Sequence, residues 1–343
     1  GLDMLASMNE PIRSAAGAIS AAYPFAVLAT SAVVGGVLDV LLFAVASIAV
    51  PVVAVEIIQR FYVGMVGVVA SRRISGGRVG ATGDGLLRMP RHRSQMSSLA
   101  LKEYRMMLGI PTYAINYVFG YVFAIVVAVA LSVVGIDAIF AGDFGSEFGA
   151  GPAEIDEIVS YVETFVPYVL AFFVAVAPTT ACSVSIEGKA AWLPSLLPVR
   201  AETVLGSKVI ANMLMTVVAA VVSMVTLLAS GQLNVVQSVD VLVVMIGLGL
   251  MMSCVGLSID ASNPNYGWAT PNEVVKRGRG AFICSFAGII VTLLLGVGVM
   301  VLATKVGVDV ANVVSIVVGL VCGGIGYAFF KRACKRYVMV MAE

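Results

Sequence analysis

Few side chains in this sequence can do bond chemistry, and their spacing argues against most of it. The single histidine, His92, sits between Arg91 and Arg93 with no acid beside it, which makes a poor ligand or base. The five cysteines (Cys182, Cys254, Cys284, Cys322, Cys334) are scattered, mostly inside apolar runs, with no C-x-x-C. They read as small packed residues, not as a disulfide framework or zinc site. H-E-x-x-H and G-x-S-x-G are both missing. Gly188-Lys189-Ala190 is similar to the end of a phosphate-binding loop, but Ser183 stands where its first glycine belongs and no Ser or Thr follows the lysine. The expectation is a chain that is not an enzyme by itself and holds no metal or cofactor.

What remains are polar groups suited to transport or docking. Asp39 is an acid inside an apolar run. It reads either as a transport-path or proton-relay group, or as a carboxyl paired or protonated within a bundle. Between Ser185 and Arg200, Ile186, Trp192, Leu193, Leu196 and Leu197 form an apolar set against Glu187 and Lys189, closed by Pro198. That pattern predicts a short amphipathic helix plus turn, able to dock into a groove on a soluble partner with Trp192 as anchor, or to rest on lipid. A second segment, Asp260 to Lys276, carries Pro264, Trp268, Pro271 and Glu273 among Asn and Gly residues. It predicts a rigid turn followed by a proline-initiated helix at 272–276, with Trp268 doubling as a candidate interfacial belt residue.

The elements that must position these residues are apolar. Of 343 residues, 60% are hydrophobic and 12% charged, against about 25% charged in an ordinary soluble domain. So much apolar surface needs lipid as its solvent. The runs are continuous and about twice the length of a barrel strand. The fold class is therefore an all-α, polytopic membrane protein of about seven transmembrane helices, at 25–54, 113–135, 162–184, 207–230, 239–258, 281–303 and 309–330. Asp39 is the one clear intramembrane acid on this reading.

Charge orients the spans. Arg60, Arg72, Arg73, Arg78, Arg88, Arg91, Arg93, Lys102 and Arg105 crowd a Gly-rich linker. No aromatic interleaving accompanies them, so they read as juxtamembrane charge facing anionic lipid, and nucleic acid is not expected as a partner. Ser97 to Met107 reads as a helix on the membrane surface. The loop 136–160 is acidic: Asp137, Asp143, Glu147, Glu154, Asp156 and Glu157. With seven alternating spans, only Arg13 and Lys305 of the 21 Lys and Arg fall on the external side. The expectation is a multi-pass protein of the cell inner (plasma) membrane with a cytoplasmic C-terminus. The start at Gly1, with no basic region ahead of a short apolar core, predicts a cut inside a longer protein.

Three segments resemble the permease subunits of ABC-2-type exporters. The first is Ser185-Ile186-Glu187-Gly188-Lys189 with Trp192 and Leu197-Pro198, extended by Gly206-Ser207-Lys208. The second is Asp260, Pro264, Trp268, Pro271, Glu273 and Lys276. The third is Lys102-Glu103-Tyr104-Arg105 followed by Pro111, Tyr113 and Asn116. The resemblance covers about 97–280. It implies an N-terminal segment with the last span of a first half at 1–59, a basic linker and interfacial helix at 60–110, and a six-helix transmembrane domain at 111–343, the C-terminal portion of such a permease. It also implies that Glu187, Gly188, Lys189, Trp192 and Pro198 take the push of a separate ATP-binding cassette ATPase subunit, and that ATP and Mg belong to that partner. The remaining transmembrane half would come from another chain or from a missing N-terminal part.

Overall fold

A computed structural model describes residues 94–136, 152–176, 178–196 and 198–342, all within the second of two units into which the chain divides, His92–Glu343. The first span, Asp39, the linker through Arg93, the acidic residues from Asp137 to Glu147, and Leu197 lie outside the described residues.

Helix α1, Gln95–Gly109, starts under Ser94, whose hydroxyl accepts from the Ser97 N–H at 3.2 Å. Pro111 occupies the first turn of α2, Pro111–Val134, where its missing N–H costs nothing. α3, Pro152–Glu163, and α4, Val166–Ala175, follow, then two 3₁₀ turns at Thr179–Cys182 and Ser185–Ala190, and α5, Leu193–Leu196. The long helices α6, Ala201–Ala229, and α7, Val235–Ser262, come next; a reciprocal Asn234/Gln237 capping box opens α7. Proline-initiated α8, Pro271–Arg277, leads into α9, Arg279–Val306, and α10, Val308–Ala342. No strand occurs among the described residues.

Among the described residues six helical stretches are long and apolar enough to cross a membrane, so the protein is an all-α polytopic membrane protein. The direction of sorting confirms lipid as the outer solvent. On α2 the buried residues are Tyr113, Tyr117, Tyr121, Ala124 and Ala128, three or four apart on one face, while Ile115, Phe119, Val126 and Val133 stand exposed. α9 buries Gly280, Cys284, Gly288, Thr292 and Gly296 and exposes Phe282, Phe286, Ile290 and Leu294. Small and polar residues face inward, large apolar ones outward, as expected when helices pack in hydrocarbon.

The third span and α7 form the centre: 76% and 67% of their apolar windows are buried, against 22–33% in the other four. α7 and α10 run in the same direction and touch backbone to backbone. A methyl group on Gly247 would collide with the Gly319 carbonyl oxygen, so only glycine lets the two helices close.

Two expectations need correction. The third span is not one continuous helix. Proline lacks the N–H that would continue the ladder, and α4 stops at Ala175, three residues before extended Pro178. Nor is 185–200 an amphipathic α-helix: it is a 3₁₀ turn over Ser185–Ala190 plus the four-residue α5.

Candidate functional site at the basic end of the bundle

The break in the third span leaves backbone groups that side chains from α2 and α6 satisfy. Asn212 of α6 accepts at Oδ1 from the Thr179 N–H at 2.8 Å and the Thr179 hydroxyl at 2.8 Å. Tyr121 of α2 donates to the same oxygen at 2.7 Å, and Tyr113 donates to the Thr179 carbonyl at 2.8 Å. Thr180 donates to the Ser253 carbonyl of α7 at 2.6 Å. An interrupted helix at membrane depth persists only when its freed groups are paired in this way. Beyond the break, Ser183, Val184, Ser185, Ile186 and Gly188 are buried, and Lys189 and Ala190 reach the surface.

Two clamps hold that segment. In the first, Asp260 at the end of α7 accepts from the Val184 N–H at 2.7 Å, the Ser185 N–H at 3.1 Å and the Ser185 hydroxyl. Ser185 in turn accepts at Oγ from the Asn265 N–H at 2.9 Å, and its carbonyl accepts from Trp268 Nε1 at 2.8 Å. The Trp268 ring lies against Gly188, which has a φ of +52°, a conformation glycine adopts freely. A Cβ at 188 would stand 2.7 Å from the ring.

The second clamp is a closed ring of four charges. Lys208 donates to Glu103 at 2.9 Å and Glu187 at 2.7 Å; Lys102 donates to the same two carboxylate oxygens at 3.2 Å and 2.6 Å. The third Lys208 proton goes to the Ser183 carbonyl at 2.7 Å. All three ammonium donors are used, which is what a fully buried lysine needs. Side-chain exposure is 1% for Lys208, 7% for Glu103 and 5% for Glu187, against 43% for Lys102. Burial raises the nearby Tyr104 and Tyr266 phenols above their ordinary range, so both stay neutral.

The structure thus sorts the sequence candidates into inward and outward groups. Gly188, Asp260 and Trp268 are inward and tie the two loops to each other, and Glu187 is inward and ties the first loop to α1 and α6. Lys189, Trp192, Pro198 and Lys276 are exposed. Trp192 is 58% exposed beside Leu193 and Leu196, an apolar knob at this end of the bundle. Pro264 and Glu273 are half-buried; Glu273 accepts from the Ala269 N–H and Thr270 hydroxyl, both at 3.3 Å, and fixes the start of α8. A cleft of about 800 Å³ opens between them, lined by Ser185, Asp260, Pro264, Glu273, Arg277 and Arg279.

Several positions stand out only in the structure. Ser185 and Lys208 belong to the sequence motifs, but their roles as hubs depend on partners 21 to 105 residues away. Glu103 carries a weak signal: it lies four residues before Met107 on the buried face of α1. Asp240 corrects the reading of Asp39 as the one clear intramembrane acid. It sits inside α7, fully buried.

The fold and the sorting of its side chains define a multi-pass α-helical membrane protein. No family model, curated protein or solved structure matches the chain.

Proposed function

We propose that the chain is the transmembrane permease subunit of an ATP-driven ABC-2-type exporter, with ATP hydrolysis supplied by a separate ATP-binding cassette subunit. One observation carries the reading. The three segments that resemble the exporter family, at 102–116, 185–208 and 260–276, are joined at one end of the bundle by the Ser185 and Lys208 clamps.

In this reading that end is cytoplasmic. The knob of Trp192, Leu193 and Leu196 enters the ATPase, and closure of the ATPase pushes on it. The clamps turn the knob, α1, α6 and α7 into one lever, so the push moves helices and does not melt a loop. The broken third span, held to α6 through Asn212, lets the lower part of that span travel with α6. The remaining transmembrane half of the path is contributed from outside residues 94–342. No residue here does bond chemistry in this scheme.

The test is purification of the chain from its native membrane and identification of the chains bound to it. An ATP-hydrolysing partner that is lost on Trp192→Ala supports the reading. Recovery of transport activity with no such partner overturns it, in favour of an ATP-independent secondary transporter. The buried Asp240 is the observation favouring that second reading.

A further inference from the structure

Near the opposite end of the bundle a second buried polar group has no such partners. Asp240 is 0% exposed; its carboxylate oxygens make no hydrogen bond of ordinary length among the described residues, and the one hydroxyl beside them is that of Ser315. It lies five residues into α7 from Val235, roughly 8 Å of helix rise from that boundary. Its neighbour on α10 is Ser315, 0% exposed, whose hydroxyl is shared with Tyr168 of α4 at 2.9 Å. Asn312 lies one turn before Ser315 on the same face of α10; it is 1% exposed, and its Oδ1 is also unpartnered. Three acceptor oxygens are therefore buried with the Ser315 hydroxyl as the one donor beside them and with no cation. A carboxylate left so in a low-dielectric interior costs several kcal/mol. A structure that keeps one has a positive charge to put there.

We propose that Asp240, with Asn312 Oδ1 and the Ser315 hydroxyl, forms an intramembrane site for one positive charge, a proton or an alkali cation, filled from the Val235 end of α7. Both sources satisfy the same chemistry. A proton makes the carboxyl neutral and turns it into a donor; an alkali ion takes the three oxygens as ligands. Among the described residues the surroundings offer no rival counter-charge. Tyr168 is the titratable group facing Asp240 from α4, with Cys322 farther along α10. α6 and α9 bring no titratable residue at this depth, and Lys305 and Asp309 lie at the helix ends beyond it. Glu163 is already engaged by Gln237 at 2.6 Å. The site is independent of the ATPase reading: it stands whether or not a cassette partner drives the bundle.

The experiment is thermal unfolding of the purified full chain in detergent, in two arms. One arm exchanges choline chloride for sodium chloride at constant ionic strength and alkaline pH. The other lowers pH in choline alone. The wild type is expected to gain about 5 °C at saturation in one arm, by preferential binding to the folded state. Asp240→Asn, already neutral, is expected to stay flat in that arm. A sodium response identifies the alkali ion; an acid response confined to the wild type identifies the proton. Parallel behaviour of both proteins in both arms overturns the proposal. If Asp240→Asn does not fold, Asn312→Ala keeps the carboxyl and serves instead, read by ²²Na⁺ binding and by the infrared band of a protonated carboxyl. Loss of about tenfold in sodium affinity, or a shift of that band, supports the site; a variant matching the wild type in both sinks it.

Discussion

Two ends of the same bundle bury ionisable side chains, and they do it in opposite ways. At the basic end, Lys208, Glu103 and Glu187 vanish from solvent together, and each finds its complement within 2.9 Å. At the other end Asp240 is buried alone with both oxygens unpaired. A buried ion pair is weak evidence for added stability, because desolvation offsets most of the attraction. What a closed ring of charges does provide is a single geometry. The basic end is built to be rigid. The Asp240 end is built with an open valence. Rigidity suits a place where force is received; an unfilled acceptor set suits a place where something binds.

The sharpest way to break that contrast is Lys208→Met. It fills the same space and leaves Glu103 and Glu187 facing each other without a buried cation. The expected cost is about 3–5 kcal/mol, the range for stranding one side of a buried pair. Lys102 cannot make this good, since it is nearly half exposed and its attraction is screened. Denaturant unfolding in detergent measures it; a loss under about 1 kcal/mol would mean that the ring is ornamental.

How much of this was legible beforehand follows from the physics of each signal. Six of the seven predicted spans reappear because twenty apolar residues in a row admit few alternatives. The helix over 97–107 and the proline-initiated helix after 271 were readable from local caps and periodicity. The break at Pro178 was not, because hydropathy averages over a window and Val176, Ala177 and Pro178 hardly lower it. Nor was the meeting of Asp260, Ser185 and Trp268, since hydrogen bonds across 75 to 83 residues leave no periodic trace. Glu187 looked like the polar face of a surface helix; only the fold turns it inward to Lys208. Asp240 escaped notice because it opens an apolar run, where an acid passes for a boundary residue.

The first clamp, around Ser185 and Asp260, breaks in two further ways. Gly188→Ala puts a methyl 2.7 Å from the Trp268 ring at a φ of +52°. Clash and backbone strain together are expected to cost about 2 kcal/mol. A double-mutant cycle with Trp268→Ala separates them: the part due to the ring disappears in the double mutant, and the part due to φ remains. Strict additivity would show that the ring does not rest on Gly188. Ser185→Ala is smaller. It removes the hydroxyl that Asp260 accepts and that Asn265 uses as acceptor, while the two backbone N–H donors to Asp260 stay. The expected loss is about 1–2 kcal/mol, read as a lower denaturation midpoint with an unchanged slope.

The smallest effect on stability is expected at the most conspicuous side chain. Trp192 is 58% exposed, takes part in neither clamp and sits beside exposed Leu193 and Leu196. Trp192→Ala removes little buried surface from the isolated chain, so its unfolding midpoint is expected to match the wild type within about 0.5 kcal/mol. If the knob is where the ATPase pushes, the same substitution is expected to lower transport-coupled ATP hydrolysis at least tenfold in the reconstituted complex, because large aromatics dominate protein contacts. The two measurements together set Trp192 apart from Lys208. Loss of stability without loss of coupling would make Trp192 a packing residue. Loss of coupling at full stability is the signature of a surface that works by touching another protein.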